Sequence, residues 1–340
     1  MKSKKANHDY FSLYASCIPV RGAVNAIICD IERNQYIEIP VDLYELLIEL
    51  RSVKISDLEK EYDQPSYQTI LQVINQLIEN ELGFCCTNIS EFPPLSMNYM
   101  QPELINNSIV DLDCDSNYSL AEALGQLSDL RCSFIQIRIF DEVTDQYLSI
   151  LKKLGNLHFK GFELFIHANN LNKTVISLGE LARLSNANQI VIHGDQENKQ
   201  DQIENCSIVH LIDKIDSEHH CGVVSKSNFE SNLSLFTESH QFNNCLNSKI
   251  SIDKNGYICN CPSLPDKFGK IGEKRISEVI NKPTGIKRLW NMTKDEIEVC
   301  KDCEFRYICI DCRAYTVFPE VNNSKPSKCR YNPYSGKWEE

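Results

Sequence analysis

The sequence predicts an α/β chain in three parts: a winged helix in front, a partial (β/α) barrel in the middle, and a cysteine-rich, metal-binding tail. Three observations predict it. A hairpin followed by three amphipathic helices fills the first quarter. Apolar runs of strand period and helix period alternate through the middle. Eight of the sixteen cysteines crowd into the 85 residues from Cys245 to Cys329. The parts divide at 1–92, 93–240 and 241–340, the first break marked by Pro93-Pro94. A chain of 340 residues can bury two or three cores. With 42% hydrophobic and 24% charged residues, the composition excludes disordered, collagen-like and membrane-spanning classes. No window approaches the ~18 apolar residues that a bilayer needs.

In the front part, Ala26 to Cys29 and Tyr36 to Ile39 flank the polar turn Glu32-Arg33-Asn34, a hairpin ended by Pro40. Asp42 is expected to cap a helix, with Glu45 completing a capping box, and Leu43, Leu46, Leu47 and Leu50 form its apolar stripe. Ser56 and Glu59 repeat that box for a short second helix. A third starts near Pro65-Ser66, carries Ile70, Val73, Ile74, Leu77 and Ile78 on one face, and stops at Gly83. Phe84 to Thr87 is expected to form the wing.

Winged helices commonly bind DNA, but the charge excludes nucleic acid here. Residues 20–90 hold five basic and twelve acidic residues, and no Lys or Arg occurs from Glu61 to Leu130, where eleven acids do. That stretch carries −11 of the chain's −12, so the third helix lacks phosphate neutralisers. The hairpin and winged helix together resemble the PqqD-like elements that recognise leader peptides of ribosomally made, modified peptides. The resemblance implies capture of a leader as an added β-strand, and the acidic surface suits a basic peptide.

In the middle part, Ser108 to Leu112 reads as a strand, Leu120 to Leu130 as a helix, and Phe134 to Phe140 alternates as a strand. Helix 145–154, strand 161–167, helix 174–184 and strand 189–193 follow, with further apolar runs at 207–212 and 222–225. Such repetition predicts a mainly parallel sheet with right-handed crossovers. About six strands fit, too few for a full eight-fold barrel of ~250 residues; an open doubly wound sheet also satisfies the pattern. His167 and His193 end strands at the face where barrel sites form, and each reads as a satisfied histidine.

A partial barrel before a cysteine-rich tail resembles radical S-adenosylmethionine enzymes, whose cluster loop is C-x3-C-x2-C after the first strand. Here Cys114 stands in that place, but the matching positions are Tyr118 and Ala121. The family's Gly-Gly-Glu-Pro after the second strand is replaced by Phe140-Asp141-Glu142-Val143. One thiolate is insufficient for a cluster that three must hold, so no S-adenosylmethionine is expected. Cys114 then reads as a buried free thiol, with Cys17, Cys29, Cys85, Cys86, Cys132, Cys206 and Cys221.

The tail carries Cys300-x2-Cys303-x5-Cys309-x2-Cys312, then Cys329; upstream lie Cys245 and Gly256-x4-Cys261, with Cys259 between. The first residues read as no export signal, since Phe11 to Tyr14 is far short of an apolar h-region, and a cytoplasmic location is expected. That compartment would keep thiols reduced, which favours metal over disulfides. Eight thiolates suit two four-cysteine [4Fe-4S] clusters. Cys300, Cys303, Cys309 and Cys329 are expected to hold one; Cys312 crosses to the other, with Cys245 and Cys261, and either Cys259 completes that set or its absence leaves an iron open. Lys301, Arg306, Arg313, Lys328 and Arg330 are expected to offset cluster charge. A single zinc knuckle at the close cysteines is the alternative.

This spacing resembles the SPASM domain, except that two residues rather than three precede the fourth close cysteine. Across the chain, Tyr10-Phe11-x5-Cys17-Ile18-Pro19-Val20-Arg21-Gly22, Cys300-Lys301-Asp302-Cys303-Glu304-Phe305-Arg306-Tyr307 and Lys328-Cys329-Arg330-Tyr331-Asn332-Pro333-Tyr334 resemble the SPASM-domain peptide maturases of grasp-with-spasm systems. That resemblance implies a precursor peptide and an ATP-grasp ligase as partners in making a graspetide-type product, and neither nucleic acid nor membrane. The sequence names no catalytic residue. Two other readings stand beside the accessory role: a radical enzyme with an unconventional cluster loop, and a metal-sensing winged-helix regulator.

Overall fold

The computed structural model describes residues 9–172, 177–183, 187–282 and 284–339. The front part builds two small sheets and three helices. Strands β1 (Tyr10–Leu13), β2 (Cys17–Arg21), β3 (Asn25–Asp30) and β4 (Gln35–Pro40) precede α1 (Val41–Glu49), α2 (Ile55–Glu61), α3 (Gln64–Glu79) and β5 (Gly83–Cys86). The expected hairpin is β3–β4, and β2 adds to it in the order β2-β3-β4. The segment expected as the wing instead pairs antiparallel with the N-terminal β1, Phe11 opposite Cys85.

Both capping boxes fail. Pro40 and Lys54 occupy the N-cap positions of α1 and α2, and neither makes a side-chain cap. Pro40 already fixes an extended backbone with the φ a helix entry needs, so α1 begins at Val41 and leaves Asp42 inside its first turn. Of the three front helices α3 alone has a side-chain cap: the Asp63 carboxylate accepts from the Ser66 amide at 2.9 Å.

Strand β3 is buried on both faces, which explains its unbroken apolar run. Ala26 and Ile28 pack with Leu47, Leu50, Leu58 and Ile74 of the helices. Ile27 and Cys29 face the tail residues Phe305 and Ile308. Alternation along a pleated strand sends neighbours to opposite faces, so one strand joins two cores.

The middle and the start of the tail share a nine-stranded sheet. After β6 (Asn107–Leu112) come α4 (Leu120–Asp129), β7 (Phe134–Ile139), α5 (Asp145–Leu151), β8 (Gly161–His167), α6 (Leu178–Ala182), β9 (Ala187–His193), β10 (Lys199–Ile203) and β11 (Cys206–Leu211). The tail adds α7 (Leu233–Ser239), β12 (Lys249–Ile252), β13 (Tyr257–Cys259), β14 (Gly269–Lys270), α8 (Ile276–Ile280), β15 (Tyr331–Asn332) and β16 (Lys337–Trp338). The order is β10-β11-β9-β8-β7-β6-β12-β13-β14. Six consecutive strands, β11 to β12, are parallel.

The expected six parallel strands are therefore present, but the sixth comes from Lys249–Ile252, beyond the boundary at 240, and not from 222–225, which has no regular structure. The helix expected over 174–184 appears as Leu178–Ala182, with 173–176 and 184 outside the described residues. One face of the sheet buries Val110, Leu112, Ile135, Ile137, Leu164 and Ile190 under α4, α5 and α6. The opposite face carries polar residues: Gln136 donates to Glu163 at 2.9 Å, and Arg138 forks onto Asp111 with two bonds of 2.7 Å.

Among the described residues no helix is long and apolar enough to cross a membrane.

Candidate functional site

The tail is mostly irregular, held by its side chains rather than by a core of its own. Four cysteines from four segments come together beside the sheet. Cys221 lies between β11 and α7, Cys245 between α7 and β12, Cys261 just after β13, and Cys312 in the last long loop. Each of the six pairs among these thiols interacts electrostatically. The Lys249 ammonium, at the start of β12, stands 3.8 Å from the Cys245 sulfur.

A second set forms from Cys300, Cys303, Cys309 and Cys329. Cys300 interacts with Cys309 and Cys329, and Cys303 with Cys300 and Cys309. Val299, immediately before Cys300, sits at φ 69°, a conformation that a β-branched residue adopts only under strain. A tight turn follows, and the Cys303 amide donates to the Cys300 carbonyl at 3.0 Å. Phe305 and Ile308 anchor the connecting loop in the core shared with the front sheet. Ala23 N donates to Asp302 O at 2.8 Å, and Arg306 Nη1 to Arg21 O at 2.6 Å, so the front part closes over this set.

The donor chemistry of both sets fits a thiolate-held iron–sulfur cluster. Burial pushes the Cys245 and Cys312 thiols up to about 11 and the Cys300 thiol up to about 12. Without a metal they stay protonated at neutral pH, and a metal must displace those protons to bind. Beside the second set, Lys294 is 4% exposed and donates to the Cys309 carbonyl at 2.5 Å. Burial alone would depress this ammonium, yet the Cys309 and Cys300 thiols and the Asp311 carboxylate hold it above its ordinary value. Asp311 is itself paired with the buried Arg313 at 2.6 Å. A buried ammonium beside neutral thiols would be poorly compensated; thiolates bound to a cluster would supply the missing negative charge. Among the described residues, no three side chains of His, Cys, Asp or Glu gather tightly enough to hold a single metal ion.

Seven of the eight expected ligands thus stand in the two sets, in the expected division. Cys259 does not. Its sulfur is fully buried in β13 and points to the Ser251 carbonyl at 3.6 Å, and Cys261 is the thiol with the largest influence on it. Cys221, expected to be a buried free thiol, is exposed and stands in the first set; Cys114 is exposed too, and Cys85 is half-buried. Of the expected compensating cations, Lys301 pairs with Glu298, Arg306 pairs with Asp295 and donates to the Cys303 carbonyl at 2.9 Å, and Lys328 donates to the carbonyls of His219 and Cys221. The lysines beside the thiols, Lys249 and Lys294, carried no signal in the sequence, since a single lysine has no spacing to recognise.

The loop after β6 does not fit a cluster held by three thiolates. Ala121 is exposed on α4, and the Tyr118 ring is buried, its hydroxyl donating to Asp111 O at 2.9 Å. Tyr147 donates to the carbonyls of Ser116 and Tyr118, and Ser116 to Lys254 O at 2.7 Å. Gly256, in the turn between β12 and β13 at φ 81°, lies against Tyr118, where an added Cβ would come within 2.7 Å of the tyrosine Cβ. Burial raises the Asp111 carboxyl to about 6, with Arg138 limiting the rise. His193 is fully buried and satisfied: Nε2 donates to Ile139 O at 2.9 Å and Nδ1 accepts from Ile215 N at 3.3 Å. Burial depresses it to about 4, and His167 packs edge-on against it, ring centres 5.3 Å apart.

A groove of about 1140 Å³ runs between the front part and the segment that leads to the sheet. It is lined by Ile18 and Pro19 of β2, by Leu47, and by the aromatic series Tyr14, Phe84 and Phe92. These rings contact one another at 5.2 and 4.6 Å. Arg51 and Glu91 are its charged lining residues.

No protein family matches the chain, and no curated protein does. Solved structures of Streptococcus suis SuiB are similar to it. The SuiB structure bound to S-adenosylmethionine aligns with 94% of this chain and 100% of that one, at 11% identity and a TM-score of 0.39. SuiB bound to precursor peptide SuiA aligns over the same shares at 10% identity and a TM-score of 0.32.

Proposed function

We propose that this chain is an iron–sulfur protein that binds a ribosomally made precursor peptide and assists its modification alongside an ATP-grasp ligase. The observation that carries the reading is the gathering of two four-thiol sets, seven cysteines of the tail with Cys221, each set with its own lysine. Cys300, Cys303, Cys309 and Cys329 would hold one [4Fe-4S] cluster. Cys245, Cys261 and Cys312 would hold the second. Bound there, the clusters would supply folding free energy to a segment poor in regular structure and a capacity for one-electron transfer.

The peptide reading draws on the front part. The groove beside β2 is long, apolar and aromatic, which suits a segment of extended peptide with large side chains. The acidic stretch from Glu61 to Leu130 favours a basic partner. No step of bond making is assigned to the chain's own residues; the ligase would form the ester or amide links, with the groove presenting the peptide.

The test is fluorescence anisotropy of a labelled precursor peptide against the anaerobically purified protein. Micromolar binding that weakens as salt rises supports the reading. Binding that ignores salt removes its electrostatic part, and no binding by any peptide encoded beside an ATP-grasp ligase removes the rest.

A further inference from the structure

We infer that Cys221, and not Cys259, is the fourth ligand of the first cluster, so that this cluster is closed and fastens the exit of the sheet to the tail. The inference rests on the iron–sulfur reading above and adds a ligand that the tail spacing does not contain.

The geometry of the segment before α7 carries it. Residues 218–222 are pinned against the loop of Cys312 from several sides. Tyr315 Oη donates to Glu218 O at 3.2 Å and lies 3.1 Å from His219 Nδ1. Ser263, two residues after Cys261, donates to the same Glu218 carbonyl at 3.4 Å. Lys328, next to Cys329, donates to Cys221 O at 2.6 Å. Gly222 then passes over Cys312. It takes φ 82°, and an added Cβ there would meet the Cys312 sulfur at 2.9 Å and the Tyr315 ring at 3.0 Å. Only glycine allows both the backbone turn and the close approach.

The Cys221 sulfur thereby comes within electrostatic reach of Cys245, Cys261 and Cys312. Arg138, on the polar face of the sheet, is within its electrostatic reach as well. Cys259 points to Ser251 O, with Lys267 and Asp253 near it. A cluster with only three thiolates would leave one iron open to an outside ligand; with Cys221 every iron has its cysteine. The first cluster would then hold the loop in place and carry electrons, with no iron left for a substrate to ligate.

Alkylation with iodoacetamide under argon tests this on the full chain, because Cys114 and Cys221 are both exposed. In the iron-loaded protein, Cys114 should react while Cys221 is protected by about tenfold or more. After iron is stripped with a chelator, the two should react at similar rates. Cys221→Ala should lose about four of about eight irons per chain, or keep a cluster whose open iron binds cyanide and shifts its EPR spectrum. Cys259→Ala should keep all its iron and an unchanged spectrum. Iron-loaded protein in which Cys221 reacts as fast as Cys114, or in which Cys259→Ala sheds a cluster, overturns the ligand assignment and leaves the iron–sulfur reading standing. A wild-type chain that takes up no iron under reconstitution overturns both.

Discussion

Lys294 offers the sharpest energetic prediction. Its ammonium is buried beside the Cys300 and Cys309 thiols, with a hydrogen bond to the Cys309 carbonyl. At a separation on the order of 5 Å and an effective dielectric of about 20, a unit charge on the cluster attracts it by ~3 kcal/mol. Lys294→Met keeps the aliphatic stem and removes the charge. If the thiols carry a cluster, the variant should bind that cluster about a hundredfold more weakly, since ~1.4 kcal/mol is a factor of ten. If the thiols are neutral, the same change only relieves the cost of burying an ammonium and is neutral or stabilising. The assay is chelator competition under argon, followed through the visible absorbance of the clusters. Lys294→Arg should retain much of the wild-type affinity. Lys301→Met serves as the control: Lys301 is solvent-exposed and paired with Glu298 at 3.3 Å, an interaction expected to contribute under ~1 kcal/mol. A Lys294→Met variant that holds iron as tightly as wild type would refute the charge argument.

Three further predictions follow. Cys303→Ala should lose about four irons and leave the first cluster's EPR signal intact, because the two thiol sets share no ligand; loss of all iron would show that they load as one unit. Burial holds His193 at about 4, below the ~6.5 of an unfolded chain, so the unfolded state takes up a proton first as pH falls. Its contribution is therefore full above pH ~6.5 and shrinks toward pH ~4, by about 1.5 kcal/mol between pH 7.5 and 5.5. Urea titrations should show His193→Gln lacking that part of the pH slope, and an unchanged slope would place the titration elsewhere. Phe84→Ala, at the centre of the aromatic series in the groove, should weaken precursor-peptide binding by about tenfold while leaving iron content unchanged; unaltered anisotropy would move the peptide elsewhere.

Much of the fold was legible because period two and period 3.6 differ clearly in the middle of the chain. Strands such as Phe134–Ile139 and Gly161–His167 stand where alternation puts them. Short edges were not legible. The strand Lys199–Ile203 is polar but for its last residue and pairs as the hairpin partner of Cys206–Leu211. Lys249–Ile252 lies inside the cysteine-rich region, and its membership of the large sheet depends on pairing with residues some 140 positions away. Capping was misread at Asp42 and Ser56 because side-chain type alone does not place a helix start; Pro40 and Lys54 already supply the extended residue before each helix.

The candidate metal centre was legible where spacing is short. Cys300, Cys303 and Cys309 lie within ten residues, so their loop geometry constrains them. Cys221 stands 24 positions before Cys245, with no repeating interval to join it to the tail. Its one local signal is the glycine that follows it. Cys259 is equivalent to Cys261 in spacing, but its side chain points to the Ser251 carbonyl.

The central claim is that the tail's cysteines hold two iron–sulfur clusters. Iron and acid-labile sulfide analysis of anaerobically purified protein, read with its Mössbauer spectrum, tests it most directly. The account predicts about eight irons and about eight sulfides per chain, in cubane-type signals only. One zinc per chain with no sulfide, or disulfides joining Cys300, Cys303, Cys309 and Cys329, would contradict it.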